Sequence, residues 1–161
     1  SALGKSKNLN NQVVLEVGSG RGGGLSYIST QMGPKLSVGV DFSANQIEFC
    51  KGAYAKYDRL SFYQGNAEQL SAVEGLKDLK FDTIINVESS HCYGNFRRFI
   101  REVSSMLKPD GHFCFTDFRQ HNEIDQLEEE LTSSGLVIEK KENITANVLH
   151  ALKLDEARRN Q

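Results

Sequence analysis

The sequence has no excess of basic residues. Nineteen lysines and arginines face twenty-one aspartates and glutamates, a formal net charge of −2 with a pI of about 6.1. A chain that binds nucleic acid as its main partner usually carries a basic patch, so that class is not expected. No apolar run approaches the roughly 18 residues of a membrane span, so no transmembrane segment is expected. The three cysteines, Cys50, Cys92 and Cys114, are odd in number and have neither zinc-like nor redox spacing. They read as small buried thiols of a reduced, cytoplasmic protein. No His/Cys/Asp grouping has metal-ligand spacing, so no metal is expected. Internal repeats, linkers and low-complexity tracts are also missing. Residues 1–161 therefore read as a single domain, long enough to bury one core.

What is present is an alternation. Strand-like runs at 13–17, 36–40, 60–63, 81–87 and 112–117 are separated by helix-period segments at 24–32, 43–57, 95–107 and 123–134. Residues 136–139 open a sixth strand, and 147–159 read as a helix. The polar start SALGKSKNLNNQ reads as a loop, and SAVEGLKDLK (71–80) as a surface helix or loop. Ser43 with Gln46 three residues on is a capping-box pattern. Phe96, Phe99, Ile100, Val103 and Leu107 form one apolar stripe, with Arg97, Arg98 and Arg101 largely on the opposite face. KPDG (108–111) reads as a turn with Gly111 at positive φ. The charge runs LEEE (127–130) and ARR (157–159) read as solvated helix faces. Strand–helix–strand repetition at this spacing predicts an α/β fold, a doubly wound and mostly parallel sheet.

In such sheets ligands bind at the carboxyl ends of the strands, where strand order reverses. The first strand-to-helix turn here is VLEVGSGRGGG (14–24), with five glycines in seven residues. Glycines let a ligand approach the backbone because no Cβ intervenes. The pattern Gly18-x-Gly20-x-x-Gly23 fits a dinucleotide fingerprint, with Asp41 at about the expected offset. It fits equally the Glu-x-Gly-x-Gly-x-Gly loop that holds S-adenosylmethionine. Glu16 tips the balance. A carboxylate leading into the loop would repel a pyrophosphate but suits the ammonium and sulfonium of S-adenosylmethionine. Asp41 can accept from both ribose hydroxyls in either case. After the third strand, in GNAEQL (65–70), the side-chain oxygen of Asn66 can accept from the adenine amine. A backbone amide of Ala67 or Glu68 can donate to a ring nitrogen.

VLEVGSGRGGG, VGVDFSANQI, GNAEQL, FDTIINVESSHCY and MLKPDGHFCFTDF, in this order, resemble the motifs of class I S-adenosylmethionine-dependent methyltransferases across about residues 13–138. Within them, NVESSHCYGNFRRFIREVSSMLKPDGHF and the tail ENITANVLHAL are most similar to the actinobacterial phthiotriolone/phenolphthiodiolone dimycocerosate methyltransferases, a group acting on lipid oxygens. The resemblance implies a Rossmann-like methyltransferase fold with S-adenosylmethionine as cofactor. It implies a small-molecule or lipid acceptor, methylated on a hydroxyl oxygen. It places Glu16, Gly18, Gly20, Asp41, Asn66, Ala67 and Asn86 around the cofactor, and Ser19, Phe42 and Glu68 are further candidates for the same site. One departure is Asn66, where the family usually has Asp; the acceptor atom is kept and the charge lost, so weaker adenine binding is expected. Such enzymes normally end in an antiparallel hairpin whose last strand inserts into the sheet. No counterpart follows ALKLDEARRNQ, so a fragment lacking that strand is expected.

Methyl transfer from a sulfonium is an in-line displacement helped mainly by alignment. A hydroxyl acceptor also needs a base that titrates near neutrality. The strand 81–87 delivers Glu88-Ser89-Ser90-His91-Cys92-Tyr93 to the sheet's carboxyl edge. His91 is the expected base, with Glu88 orienting it or touching the substrate, and Tyr93 shaping the acceptor pocket. Cys92 reads as a packing residue. Asp117, Arg119 and His121 can also reach the cleft, whereas His112 and His150 read as structural. An NAD-dependent oxidoreductase and a non-catalytic cofactor-binding scaffold remain the rival readings.

Overall fold

The first strand, β1 (Val13–Val17), shows why a sheet forms here. Its side chains alternate between faces: Leu15 and Val17 enter one apolar cluster and Val14 the other. A strand buried on both faces belongs in the middle of a parallel sheet covered by helices on each side. A computed structural model describes residues 9–159, so most of the polar N-terminal start lies outside the described residues.

Beyond β1 the elements are α1 (Gly23–Gln31), β2 (Leu36–Asp41), α2 (Ala44–Ala53), β3 (Leu60–Gln64), β4 (Phe81–Val87), α3 (Phe96–Met106), β5 (Leu107–Thr116), α4 (Ile124–Ser133) and α5 (Thr145–Arg159). The five strands run in the order β3-β2-β1-β4-β5, with every neighbouring pair parallel. The order reverses between β1 and β4, which makes their carboxyl ends the switch point where open α/β sheets bind ligands. Leu25 and Ile28 of α1 and Ile47 and Cys50 of α2 cover one face. Phe99, Ile100, Val103 and Met106 of α3 cover the other. That face of α3 matches the stripe expected from the sequence, except that Met106 is buried and Leu107 opens β5. Asn95 caps α3 by accepting from the Arg98 amide at 2.9 Å. Ser43 caps α2 by accepting from the Gln46 amide at 3.4 Å.

Several expectations need correction. Residues 136–139 form no strand; Val137 is 84% exposed, and among the described residues no neighbouring strand pairs with this segment. The chain leaves α4 through Gly135, at φ 89°, and runs along the surface. The 71–80 segment is, as expected, a surface segment; it contains a 3-10 turn (Glu74–Leu76) and docks on the core through buried Val73 and Leu76. KPDG is a bulge within β5: Phe81 pairs with Leu107, but Thr83 pairs with His112. The positive φ falls on Asp110, at 61°, and not on Gly111. Gly111 is needed for space, since a Cβ there would lie 3.0 Å from the carbonyl oxygens of Lys108 and Phe81. Of the three thiols only Cys50 is buried; Cys114 is half-buried and Cys92 exposed. His112 and His150 are both exposed, and His112 only approaches Glu139, at 3.6 Å. Helix α5 buries none of its residues. No helix among the described residues is long and apolar enough to cross a membrane.

Candidate functional site

The carboxyl ends of β1 and β4 bring the expected residues to one place. Beyond Val17 the chain turns sharply. Gly18 and Gly20 sit at φ 74° and 51°, the left-handed region that disfavours side chains. The amides of Gly18 and Ser19 both donate to the Val40 carbonyl, at 2.8 and 3.1 Å. The Gly20 amide donates to Asp41 Oδ2 at 2.8 Å, and Asp41 Oδ1 accepts from the Ser43 amide at 2.9 Å. Asp41 therefore stitches the turn to the start of α2. Each of its oxygens keeps a lone pair for a further donor.

Beneath the turn lies Glu16, buried and facing the start of α1. Burial pushes its carboxyl up, a hydrogen bond from the Leu25 amide lowers it, and the nearby Asp41 charge raises it further, to about 7. Its Oε2 has no hydrogen-bond partner among the described residues. Two more buried polar atoms close by share that condition: the Ser19 hydroxyl and Asn86 Oδ1. Buried polar atoms without partners are rare in native proteins and call for a ligand, ion or water. Asn86 is fixed by its other end, with Nδ2 donating to the Val17 carbonyl at 2.8 Å and to the Tyr93 hydroxyl at 3.0 Å. The Tyr93 hydroxyl also shares a 2.8 Å hydrogen bond with Ser89 Oγ. Burial raises the Tyr93 phenol above its usual value, against the hydrogen bonds from Ser89 and Asn86.

In the segment after β3, one of the two candidate amide donors is already engaged. Asn66 Oδ1 accepts from the Glu68 amide at 2.9 Å, capping a 3-10 turn (Ala67–Ala72), so these two groups are engaged with each other. The Ala67 side chain is buried in the core cluster. Glu68 Oε1 accepts from the Asn95 amide at 3.0 Å, which ties this turn to the start of α3. Phe42 is 75% exposed at the end of β2.

The loop after β4 carries the reactive side chains. Glu88 opens it at φ 46°, an unusual conformation for a residue with a Cβ and one that often marks functional sites. The pairing of Glu88 with His91 does not form. The carboxylate beside His91 is Asp117, beyond the end of β5. Its Oδ1 lies 2.8 Å from His91 Nδ1, and its Oδ2 accepts from the His91 amide at 3.0 Å. Ser90 Oγ donates to the same Oδ2 at 2.6 Å, and Arg119 lies 3.2 Å from it. Burial raises the Asp117 carboxyl. The hydrogen bonds from Ser90, His91 and Arg119, with the Arg119 charge, outweigh that and hold it below the usual range. The His91 ring lies 4.1 Å from that of Phe118. His121, by contrast, is exposed at the start of a short 3-10 turn (His121–Glu123) and joins none of these contacts.

Sequence reasoning missed Ser89 and Ser90. A serine pair after a strand carries no signal of its own; only the fold shows Ser89 packed over Gly18 and Ser90 buried against Asp117.

The sequence profile of the methyltransferase domain family matches residues 8–157. The chain belongs to that family. Among curated relatives, the methyltransferase domain is 38% identical over 145 residues to phthiotriol/phenolphthiotriol dimycocerosates methyltransferase of Mycobacterium tuberculosis, covering 90% of this chain and 52% of that protein. It is 36% identical over 139 residues to fatty-acid O-methyltransferase of Mycolicibacterium smegmatis, covering 86% and 49%. The chain thus spans about half the length of these relatives. Among solved structures, the methyltransferase domain superposes on phosphoethanolamine N-methyltransferase 2 of Haemonchus contortus, solved in complex with S-adenosyl-L-methionine. The TM-score is 0.75 at 18% identity, over 92% of this chain and 38% of that one, a likeness of fold.

Proposed function

We propose that this domain binds S-adenosylmethionine at the glycine turn and directs its methyl group to a hydroxyl oxygen of a lipid-type acceptor. The observation that carries the reading is the buried, unpartnered Oε2 of Glu16 below the turn. An ammonium supplies the donor that this acceptor lacks, and a pyrophosphate supplies none. Asn86 Oδ1 offers a second free acceptor. The spare lone pairs of Asp41 serve the ribose hydroxyls. The Asn66 oxygen keeps one lone pair for the adenine amine, with the Ala67 amide beside it and exposed Phe42 to flank the base.

When bound, the cofactor supplies an electrophilic methyl: the acceptor oxygen forms the new C–O bond as the S–C bond breaks, and that electron pair stays on sulfur. His91 takes the proton released from the oxygen. Val87 and Phe118 are exposed at the ends of β4 and β5 on this edge of the sheet, suiting an apolar acceptor. The lipid-type acceptor also agrees with the names of the mycobacterial relatives.

Calorimetric titration with S-adenosylhomocysteine and with NAD tests cofactor choice; binding of the first and not the second is expected. Labelled methyl transfer from S-adenosylmethionine to a long-chain secondary alcohol in detergent tests acceptor class. Binding of NAD alone would overturn the reading.

A further inference from the structure

We propose that Asp117 is a positioning residue for His91: it holds the imidazole with its proton on Nδ1, leaving Nε2 as the proton-accepting atom, while Ser90 and Arg119 hold Asp117. This role serves the transfer step proposed above and rests on that reading.

Five donors converge on the two oxygens of Asp117. The Ser90 hydroxyl, the His91 amide and Arg119 Nη1 reach Oδ2 at 2.6, 3.0 and 3.2 Å. His91 Nδ1 and the Phe118 amide reach Oδ1 at 2.8 and 2.9 Å. A neutral carboxylic acid would point its own hydrogen at one of these donors, so the group is an anion and acceptor only. Facing an acceptor, Nδ1 must carry the hydrogen. In the neutral ring Nε2 then bears the lone pair, and it has no partner among the described residues.

The cluster is built rigidly. The Asp117 side chain has no exposed surface, Ser90 is buried, and Arg119 is nearly so. Arg119 Nη2 donates to Ser90 Oγ at 2.5 Å, and its guanidinium lies over the Phe96 and Phe115 rings at 5.4 and 6.0 Å. Asp117 holds His91 by both backbone and ring, which fixes the position of the ring as well as its tautomer. The His91 side chain is 28% exposed, so the ring is anchored on one side and open on the other. In the transfer step the acceptor hydroxyl proton passes to Nε2, Asp117 stabilises the resulting imidazolium, and the proton then leaves to water. This is the division of labour of a carboxylate–histidine pair, in which the carboxylate orients and the imidazole moves the proton.

The test reads the ring directly. The protein is labelled with ¹⁵N-histidine, and the His91 resonances are identified by their loss in His91→Gln. Nitrogen–carbon-proton correlation spectra of the unsubstituted protein above pH 8 are expected to show Nδ1 protonated and Nε2 bare. In Asp117→Asn the proton is expected to move to Nε2, with methyl transfer to the secondary alcohol falling on the order of 10³–10⁴-fold, as when such a carboxylate is neutralised elsewhere. S-adenosylhomocysteine affinity is expected to stay within about twofold, since Asp117 lies outside the glycine turn. Arg119→Lys should retain more activity than Arg119→Ala. A bare Nδ1 in the unsubstituted protein overturns the proposal without recourse to any variant, and so does an Asp117→Asn protein with an unchanged tautomer. Failure of the unsubstituted protein to bind S-adenosylhomocysteine would instead reject the functional reading.

Discussion

Ser89 stands directly over Gly18: a Cβ added to Gly18 would lie 2.0 Å from the Ser89 Oγ. Gly20, two residues on, has nothing within 4 Å of its corresponding position. Both glycines have positive φ, so both resist substitution by strain of about 1–2 kcal/mol. Only Gly18 adds a collision. Gly18→Ala should therefore lose more stability than Gly20→Ala in chemical denaturation, together with at least a tenfold loss of S-adenosylhomocysteine affinity. Adding Ser89→Gly to Gly18→Ala should remove the overlap with Ser89 and recover part of the excess loss over Gly20→Ala, with the Tyr93 hydroxyl still 3.0 Å from the added Cβ. Equal losses in the two single variants would contradict this geometry.

Glu16 contributes an inverse pH dependence to the stability of the ligand-free protein. Its carboxyl titrates at about 7 in the folded state against 4.5 as a free group, so the folded state holds the proton more tightly. Below the free value both states are protonated and nothing is lost. As pH rises from 4.5 to 7 the unfolded chain ionises first, and folding stability falls. Each pH unit of that gap is worth about 1.4 kcal/mol, so the whole loss is about 3 kcal/mol. Glu16→Gln should flatten this part of the stability curve in urea titrations. It should also weaken S-adenosylmethionine binding, because the anion that faces the ammonium is gone. A variant with the original slope would show that another group sets it.

That trade separates what the sequence reveals from what it hides. Glu16, the glycines and Asp41 were legible because their spacing within one strand–turn–strand unit encodes their geometry. The pairing of His91 with Asp117 was not, because 26 positions separate them and a side-chain direction decides it. Glu88 was the nearer carboxylate, and its left-handed backbone leaves it unpaired with His91. The missing strand at 136–139 failed for a different reason. Its apolar pattern was real, but a strand also needs a neighbour, and pattern alone does not supply one.

Asp82 offers a stability change remote from the site. Its Oδ2 accepts from the Val13 amide and from Lys108 Nζ, both at 2.7 Å, at the end of the sheet opposite the glycine turn. Burial raises its carboxyl, but those hydrogen bonds outweigh it and hold it below the usual value. The contribution is present above the ordinary carboxyl range and is lost as pH falls through the folded value. Asp82→Ala should cost about 1 kcal/mol at neutral pH, measured by denaturation, with S-adenosylhomocysteine affinity unchanged. A matching loss of affinity would mean that the two ends of the sheet are coupled.

The three thiols should react in a fixed order. Cys92 is exposed, Cys114 half-buried and Cys50 buried. Burial pushes the Cys114 and Cys50 thiols above their usual values, reducing the reactive thiolate. Cys50 also points its Sγ at the Gly20 carbonyl, 3.4 Å away. Ellman's reagent should modify one thiol rapidly and Cys50 last, and S-adenosylhomocysteine should slow the last phase further. Fast loss of all three would indicate that α2 opens readily.

The hydrogen bond from Asn86 to Val17 joins residues 69 positions apart. No short peptide from this chain contains both ends of that clasp. On a ribosome, the bare turn is synthesised long before its clasp, and the closure of so long a loop carries an entropic cost that pairing of β1 with β4 must first repay. Ligand capture then becomes a late event in biogenesis, and a fluorescent cofactor analogue would report the moment at which those two strands meet.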